Sequence, residues 1–226
     1  MTFSIAARDP EADEFGVAVT TGIVAVGAVC PYVSADAAVL TQSFTKTEHG
    51  ADALRRIAEG DAVDDACTAL LNADEHASYR QVHGVDSERA FTFTGDDCVE
   101  WAGSRTGENY TVAGNMLVGE SVVERVADAF EAAEGRLSER LVAALEAGQA
   151  AGGDKRGKVS AALLVHAPEP KLFHNLRVDY AEEPVDRLRT TYEKAVEAQA
   201  SLVESTDEQL GSGAYPEEIL AFGHKH

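Results

Sequence analysis

The sequence predicts an α+β fold in one domain, and three observations predict it. Short runs of small and β-branched residues, broken by turn residues, fill the first forty or so positions. From Val63 the apolar residues recur at i, i+3, i+4, i+7 and i+8, which is the period of a helix. The two patterns then alternate along the 226 residues as strands, two helices, strands, two helices, strands and a helix, with no internal repeat and no convincing linker.

In chain order, residues 2–8 form a strand, the chain turns through Asp9-Pro10 and an acidic stretch, and residues 16–21 return as the second arm of a hairpin. Residues 25–29 and 37–43 continue the sheet, because their mixture of small and β-branched side chains suits strands covered on both faces. A helix begins near Gly50, turns Leu54 and Ile57 inward and stops at Gly60; the next carries Val63, Ala66, Cys67, Leu70 and Leu71 on one face. Strands resume over 79–85 and 90–94 about the turn Asp86-Ser87-Glu88, and 110–117 adds another. Val122, Val123, Val126, Ala127 and Phe130 make one helical stripe, and Leu137, Leu141, Val142 and Leu145 the next, with Gly135 between them. A glycine-rich charged loop over 150–158 leads into a strand at 160–165, a last strand at 173–180, and a helix from Pro184 to about Val203. The domain is expected to span 1–203, and 204–226 to form a polar C-terminal tail with an apolar patch at Ile219-Leu220-Ala221-Phe222.

The net charge of −20 argues against nucleic acid and anionic membrane as partners, since both would be repelled. Acidic residues are spread along the chain, arginine outnumbers lysine, and such a surface suits molar salt, where the Debye length falls to about 3 Å. A halophilic source is the expectation. No apolar run reaches the roughly 18 residues of a membrane span, and no basic-then-apolar leader opens the chain, so we expect a cytoplasmic protein. Cys30, Cys67 and Cys98 are widely spaced without a CxxC pair, and the histidines lack metal-ligand spacing. We therefore expect no disulfide, metal or other cofactor.

Thr2 is the first candidate for chemistry. Removal of Met1 would leave an α-amine of pKa ~7.7–8 on the residue that carries the hydroxyl, and a base beside a weak nucleophile is a known means of activating it.

Motifs then assemble along most of the chain. Thr2-Phe3-Ser4-Ile5-Ala6-Ala7-Arg8-Asp9, Ala25-Val26-Gly27-Ala28-Val29, Thr41-Gln42-Ser43, Trp101-Ala102-Gly103 and Gly114-Asn115-Met116-Leu117 come in that order. Ala151-Gly152-Gly153-Asp154-Lys155-Arg156-Gly157 and Ser160-Ala161-Ala162-Leu163 complete the set. Together they resemble the family called domain of unknown function 1028, over roughly residues 2–195. The resemblance implies an N-terminal-nucleophile (Ntn) hydrolase-like fold, a four-layer αββα sandwich of two antiparallel sheets between helical layers. It also implies amide hydrolysis by the first residue after processing, on a small-molecule substrate, in a protein that self-associates as a homo-oligomer.

On that reading Thr2 attacks a carbonyl carbon while its own amine takes the proton, and Gly114 and Asn115 offer oxyanion donors or, equally, a tight strand-end turn. Arg156 would hold a substrate carboxylate and Asp154 orient that arginine or the amine, unless both belong to a solvated charged loop. Gln42 and Ser43 line the pocket or satisfy backbone groups, and Ser160 joins the substrate-binding set. The chain departs from the family pattern at Thr20-Thr21-Gly22, where a serine and a basic residue are expected, at Val159 in place of glutamine, and at His49-Gly50. The alternative to an amidohydrolase is a non-catalytic small-molecule-binding or assembly protein on the same fold.

Overall fold

The computed structural model describes residues 2–153 and 157–211. Strands β1 (Thr2–Asp9) and β2 (Glu14–Thr21) open the chain, joined by a turn in which Asp9 Oδ1 accepts the amides of Glu11 and Ala12. β3 (Pro31–Val33) and β4 (Ala37–Ser43) precede helices α1 (Thr47–Ala58) and α2 (Val63–Asn72). Then come β5 (Arg80–Asp86), β6 (Ala90–Thr94), β7 (Gly103–Gly107) and β8 (Tyr110–Asn115). Helices α3 (Ser121–Ala132) and α4 (Leu137–Ala150), strands β9 (Ser160–His166) and β10 (Asn175–Val178), and helix α5 (Pro184–Leu210) complete the fold. All pairings are antiparallel: one sheet runs β10-β9-β2-β1-β8-β7 and the other β3-β4-β5-β6.

The period of two decides which face of each strand meets which layer. In β1, Phe3, Ile5 and Ala7 join Val126, Phe130, Leu141, Leu145 and Leu188 beneath α3, α4 and α5. The alternate residue Ala6 meets Val17, Val19, Leu40 and Val85 between the sheets. On the other side Ala37, Val39 and Val82 pack with Ile57, Val63, Cys67 and Leu71 of α1 and α2. Each fully buried leucine or phenylalanine in these clusters contributes about 1.5–3 kcal/mol. Gly148 of α4 is a glycine because a β-carbon there would stand 2.6 Å from both the Phe3 ring and Val126. A mid-helix glycine costs about 1 kcal/mol relative to alanine, and here it seats the helix on the ring next to Thr2.

Asp86 closes β5 and starts α2. Its Oδ1 accepts the amides of Glu88 (2.7 Å) and Arg89 (2.6 Å), which shapes the turn into β6, while Oδ2 accepts the Val63 amide at 2.7 Å. A carboxylate 23 residues away in sequence thus does what a local cap does for other helices.

Several elements differ from expectation, among them the short strand β3. Residues 25–29 form a loop with a 3-10 turn over Val26–Ala28, not a strand. Ala25 is left-handed (φ 59°), its amide goes to Asp179 O, and the Val26 amide goes to Ser160 Oγ. Those partners take the groups a strand would offer a neighbour. β7 was hidden because Gly103–Gly107 is a half-exposed edge strand without apolar alternation. α1 starts at Thr47, before Gly50. α5 continues through Glu204 to Leu210, where a loose tail was expected; its surface carries helix-spaced pairs such as Lys194 with Glu197. The apolar patch 219–222 lies outside the described residues.

Candidate active site

Strand register brings one row of polar residues to one end of the six-stranded sheet. Thr2 pairs with Asn115 on one side and Thr21 on the other, and Thr21 pairs with Ser160. All four share the phase of the residues that face the second sheet, so the row Asn115–Thr2–Thr21–Ser160 borders the mouth between the two sheets. The Thr2 hydroxyl is buried and lies 3.1 Å from Thr21 Oγ1. Among the described residues no ionisable side chain hydrogen-bonds it.

A chain of neutral side chains runs behind Thr2, from sheet to sheet. Ser4 Oγ donates to Gln42 Oε1 at 2.7 Å and lies 2.8 Å from His83 Nε2. A serine has one proton, so with that proton on Gln42 the contact with His83 needs the hydrogen on Nε2. His83 Nδ1 then accepts from Thr111 Oγ1 at 2.9 Å. Gln42 Nε2 donates to Gln81 Oε1 at 2.8 Å, and Gln81 Nε2 donates to Gly114 O at 2.8 Å and Thr94 Oγ1 at 2.9 Å. Asn115 Nδ2 donates to the same Gln81 oxygen at 3.0 Å, which fixes the amide beside Thr2. Burial drives the His83 pKa down to about 3, against the pull of the Thr111 backbone, so the ring is neutral at physiological pH. Cys30 is 3.9 Å from Gln42 Oε1, and burial pushes its thiol far above the ordinary range. It is not a thiolate nucleophile.

The cations next in sequence to this mouth are already bound. Arg80 Nε donates to Asp74 Oδ2 at 2.9 Å and its Nη1 to Phe44 O at 2.6 Å, while Lys46 Nζ stands 3.7 Å from Asp74. Burial works to raise the Asp74 carboxyl, but the hydrogen bonds from Arg80 and the His76 amide outweigh it and hold the pKa at about 2. His49 lies 3.3 Å from the same carboxylate without hydrogen-bond alignment, and burial, then Lys46, lower its pKa. We read that contact as a neutral imidazole against a carboxylate.

Two residues that leave the mouth strands, Ser43 (φ 71°) and Met116 (φ 54°), are left-handed without being glycine. Such residues cost of order 1–3 kcal/mol and persist where neighbours hold them. Met116 N donates to Val99 O at 2.8 Å and Leu117 N to Trp101 O at 3.0 Å.

The profile of a family of unknown function (DUF1028) matches residues 2–188. The chain belongs to the DUF1028 family. The crystal structure of a DUF1028 protein from Silicibacter pomeroyi matches it with a TM-score of 0.80 at 34% identity, over 86% of this chain and 89% of that one. Anbu (ancestral beta-subunit) from Yersinia bercovieri is 9% identical with a TM-score of 0.39, over 87% of this chain and 95% of that one, a likeness too slight to carry an argument. No curated protein matches the chain.

Of the residues singled out in this DUF1028 sequence, the structure brings together Thr2, Asn115, Gly114 and Gln42. Gly114 offers its carbonyl to Gln81, and a β-carbon there would stand 2.4 Å from Leu117, so the glycine serves packing. Ser160 borders the mouth, but its hydroxyl holds the loop after β2, accepting from Val26 N at 3.2 Å and donating to Ile23 O at 2.5 Å. Ser43 stands at the same end in phase with Thr41, whose hydroxyl turns to Lys46 O on the helix side. Asp154 and Arg156 lie outside the described residues. Gln81, His83, Thr21 and Thr111 are the members that sequence reasoning did not select. A signal was available: Thr2 with Ser4, and Gln81 with His83, put polar residues at i and i+2 of otherwise apolar strands.

Proposed function

We propose that this DUF1028 protein is an Ntn-type amidohydrolase, built as a four-layer αββα sandwich, that cleaves a small amide through Thr2 once Met1 is removed. The observation that carries the reading is the place of Thr2: first residue of a central strand, hydroxyl at the mouth between the sheets, and Asn115 clamped beside it by Gln81. The Thr2 oxygen attacks the amide carbon and its proton passes to the freed α-amine, directly or through one water. The amine then protonates the leaving nitrogen as the C–N bond breaks, and water hydrolyses the resulting ester to release the acid and restore Thr2. Asn115 Nδ2 gives one N–H to Gln81, and its second N–H is the donor for the developing oxyanion. With a neutral network around it, the α-amine is the base.

Burial of Thr2 favours a second reading, a binding or assembly protein that keeps the fold without the chemistry. Intact mass of protein from its own host separates the two. Loss of one methionine, with turnover in a panel of small amides that Thr2→Ala abolishes, supports hydrolysis. Retention of Met1 sinks the nucleophile role.

A further inference from the structure

The strands that carry the mouth residues leave the sheets through exposed hydrophobic side chains. Ile23 and Val24 follow Thr21, Phe44 follows Ser43, Tyr79 precedes Arg80, and Val118 comes three residues after Asn115. Val99 stands across from Met116, whose amide its carbonyl accepts. These six side chains are 43–58% exposed, and they make up two thirds of the nine large hydrophobic residues exposed among the described residues. In a chain of net charge −20 that concentration at one end of the fold calls for an occupant. Phe44 and Tyr79 are already ordered, edge to face with ring centroids 5.7 Å apart. Lys46 and Arg80, beside them in sequence, are turned to Asp74, so neither charge is offered at Phe44 and Tyr79.

We infer that the rim binds the apolar part of the substrate, an amide with an alkyl or aryl group, and holds it while the amide reaches Thr2. This rests on the reading of Thr2 as the reacting residue. Continuity favours a substrate group: the rim residues are chain neighbours of Thr21, Ser43, Arg80 and Asn115, at the end of the sheets where Thr2 lies.

The test measures binding of straight-chain primary amides from acetamide to octanamide to the Thr2→Ala variant, which removes turnover from the readout. The expected result is an affinity that rises about two- to fourfold per methylene, with Phe44→Ser and Tyr79→Ser flattening the rise while leaving acetamide binding unchanged. Both positions are exposed, so the substitutions leave the fold intact, which a melting curve checks. Affinity independent of chain length overturns the inference. So does sedimentation showing an oligomer that Ile23→Glu dissociates, because the rim is then an interface between copies. A rise with chain length in a protein that hydrolyses none of the series upholds the apolar site and refutes the catalytic reading, so the two failures are distinguishable.

Discussion

The two ends of the central strands are built from opposite materials. Between the sheets at the Thr2 end the polar groups are neutral, buried and bonded to one another, and the nearby ion cluster of Asp74 stands on the helix side. At the hairpin end they are charged and near solvent. There, clefts of about 370 and 350 Å³ are lined by Glu14, Arg136, Lys171 and His174, and by Tyr110, Glu131 and Arg140. Arg105 bonds Asp128 and Glu131 at that end, and Tyr110 donates to Glu131. Both of these clefts lie away from the candidate chemistry. Solvated ion pairs contribute about 0–1 kcal/mol each, whereas a buried amide left without its partner costs about 1–3 kcal/mol. The comparison teaches that the polar groups held by specific partners sit at the Thr2 end, and the solvated ion pairs at the other.

Substitutions can break that comparison or sharpen it. The largest effect is expected for Thr2→Ala: amide hydrolysis falls about 10⁴-fold or more, while thermal unfolding shifts by the loss of one hydrogen bond, about 1 kcal/mol. Gln81→Ala comes next. It strands Gly114 O, Gln42 Nε2 and Asn115 Nδ2 at once, and denaturant titration should show a loss of about 3–5 kcal/mol. Asn115→Ala is expected to lower kcat about 10²–10³-fold with a smaller change in stability, since Gln81 keeps its other partners.

The pH dependence follows from His83. Its folded pKa, about 3, lies below the ordinary 6.5, so the unfolded chain binds the proton more readily. The stability this residue contributes is complete above pH 6.5 and is lost as pH falls from there towards 3, by up to about 1.4 kcal/mol per pH unit. Urea titrations at several pH values should show that slope, and His83→Gln should flatten it. Arg136→Ala at the hairpin end closes the series, with less than about 1 kcal/mol expected. An equal loss for Arg136→Ala and Gln81→Ala would erase the distinction between the ends.

Much of this was legible in the sequence because it is periodic. The helical stripes from Val63 and Val122 each report one buried face, and a face needs no knowledge of its partner. The network was harder to read. Gln81 and His83 look like solvent-facing residues of an ordinary half-exposed strand until Ser4, Gln42 and Thr111 stand opposite them, 28 to 79 residues away in sequence. Residues 25–29 failed for a related reason: their composition is that of a strand, and only Ser160, 134 residues beyond Val26, shows where that amide goes. The cap of α2 by Asp86 is equally non-local. What sequence pattern conveys is burial; what it withholds is the partner of a polar group.

The hydrogen-bond chain from Thr111 through His83, Ser4, Gln42 and Gln81 to Gly114 has a direction, each group giving to the next. Two apolar sheets can slide over one another with little penalty, since one methyl group substitutes for another. Here a slip of either sheet would set donor against donor, so the alignment of the layers is a matter of matching rather than of degree. An insertion of one residue in β5 ahead of Gln81 would turn Gln81 and His83 towards α2 and leave the mouth without its clamp. The hydrophobic core decides that the sheets stack, and this thread of amides decides where.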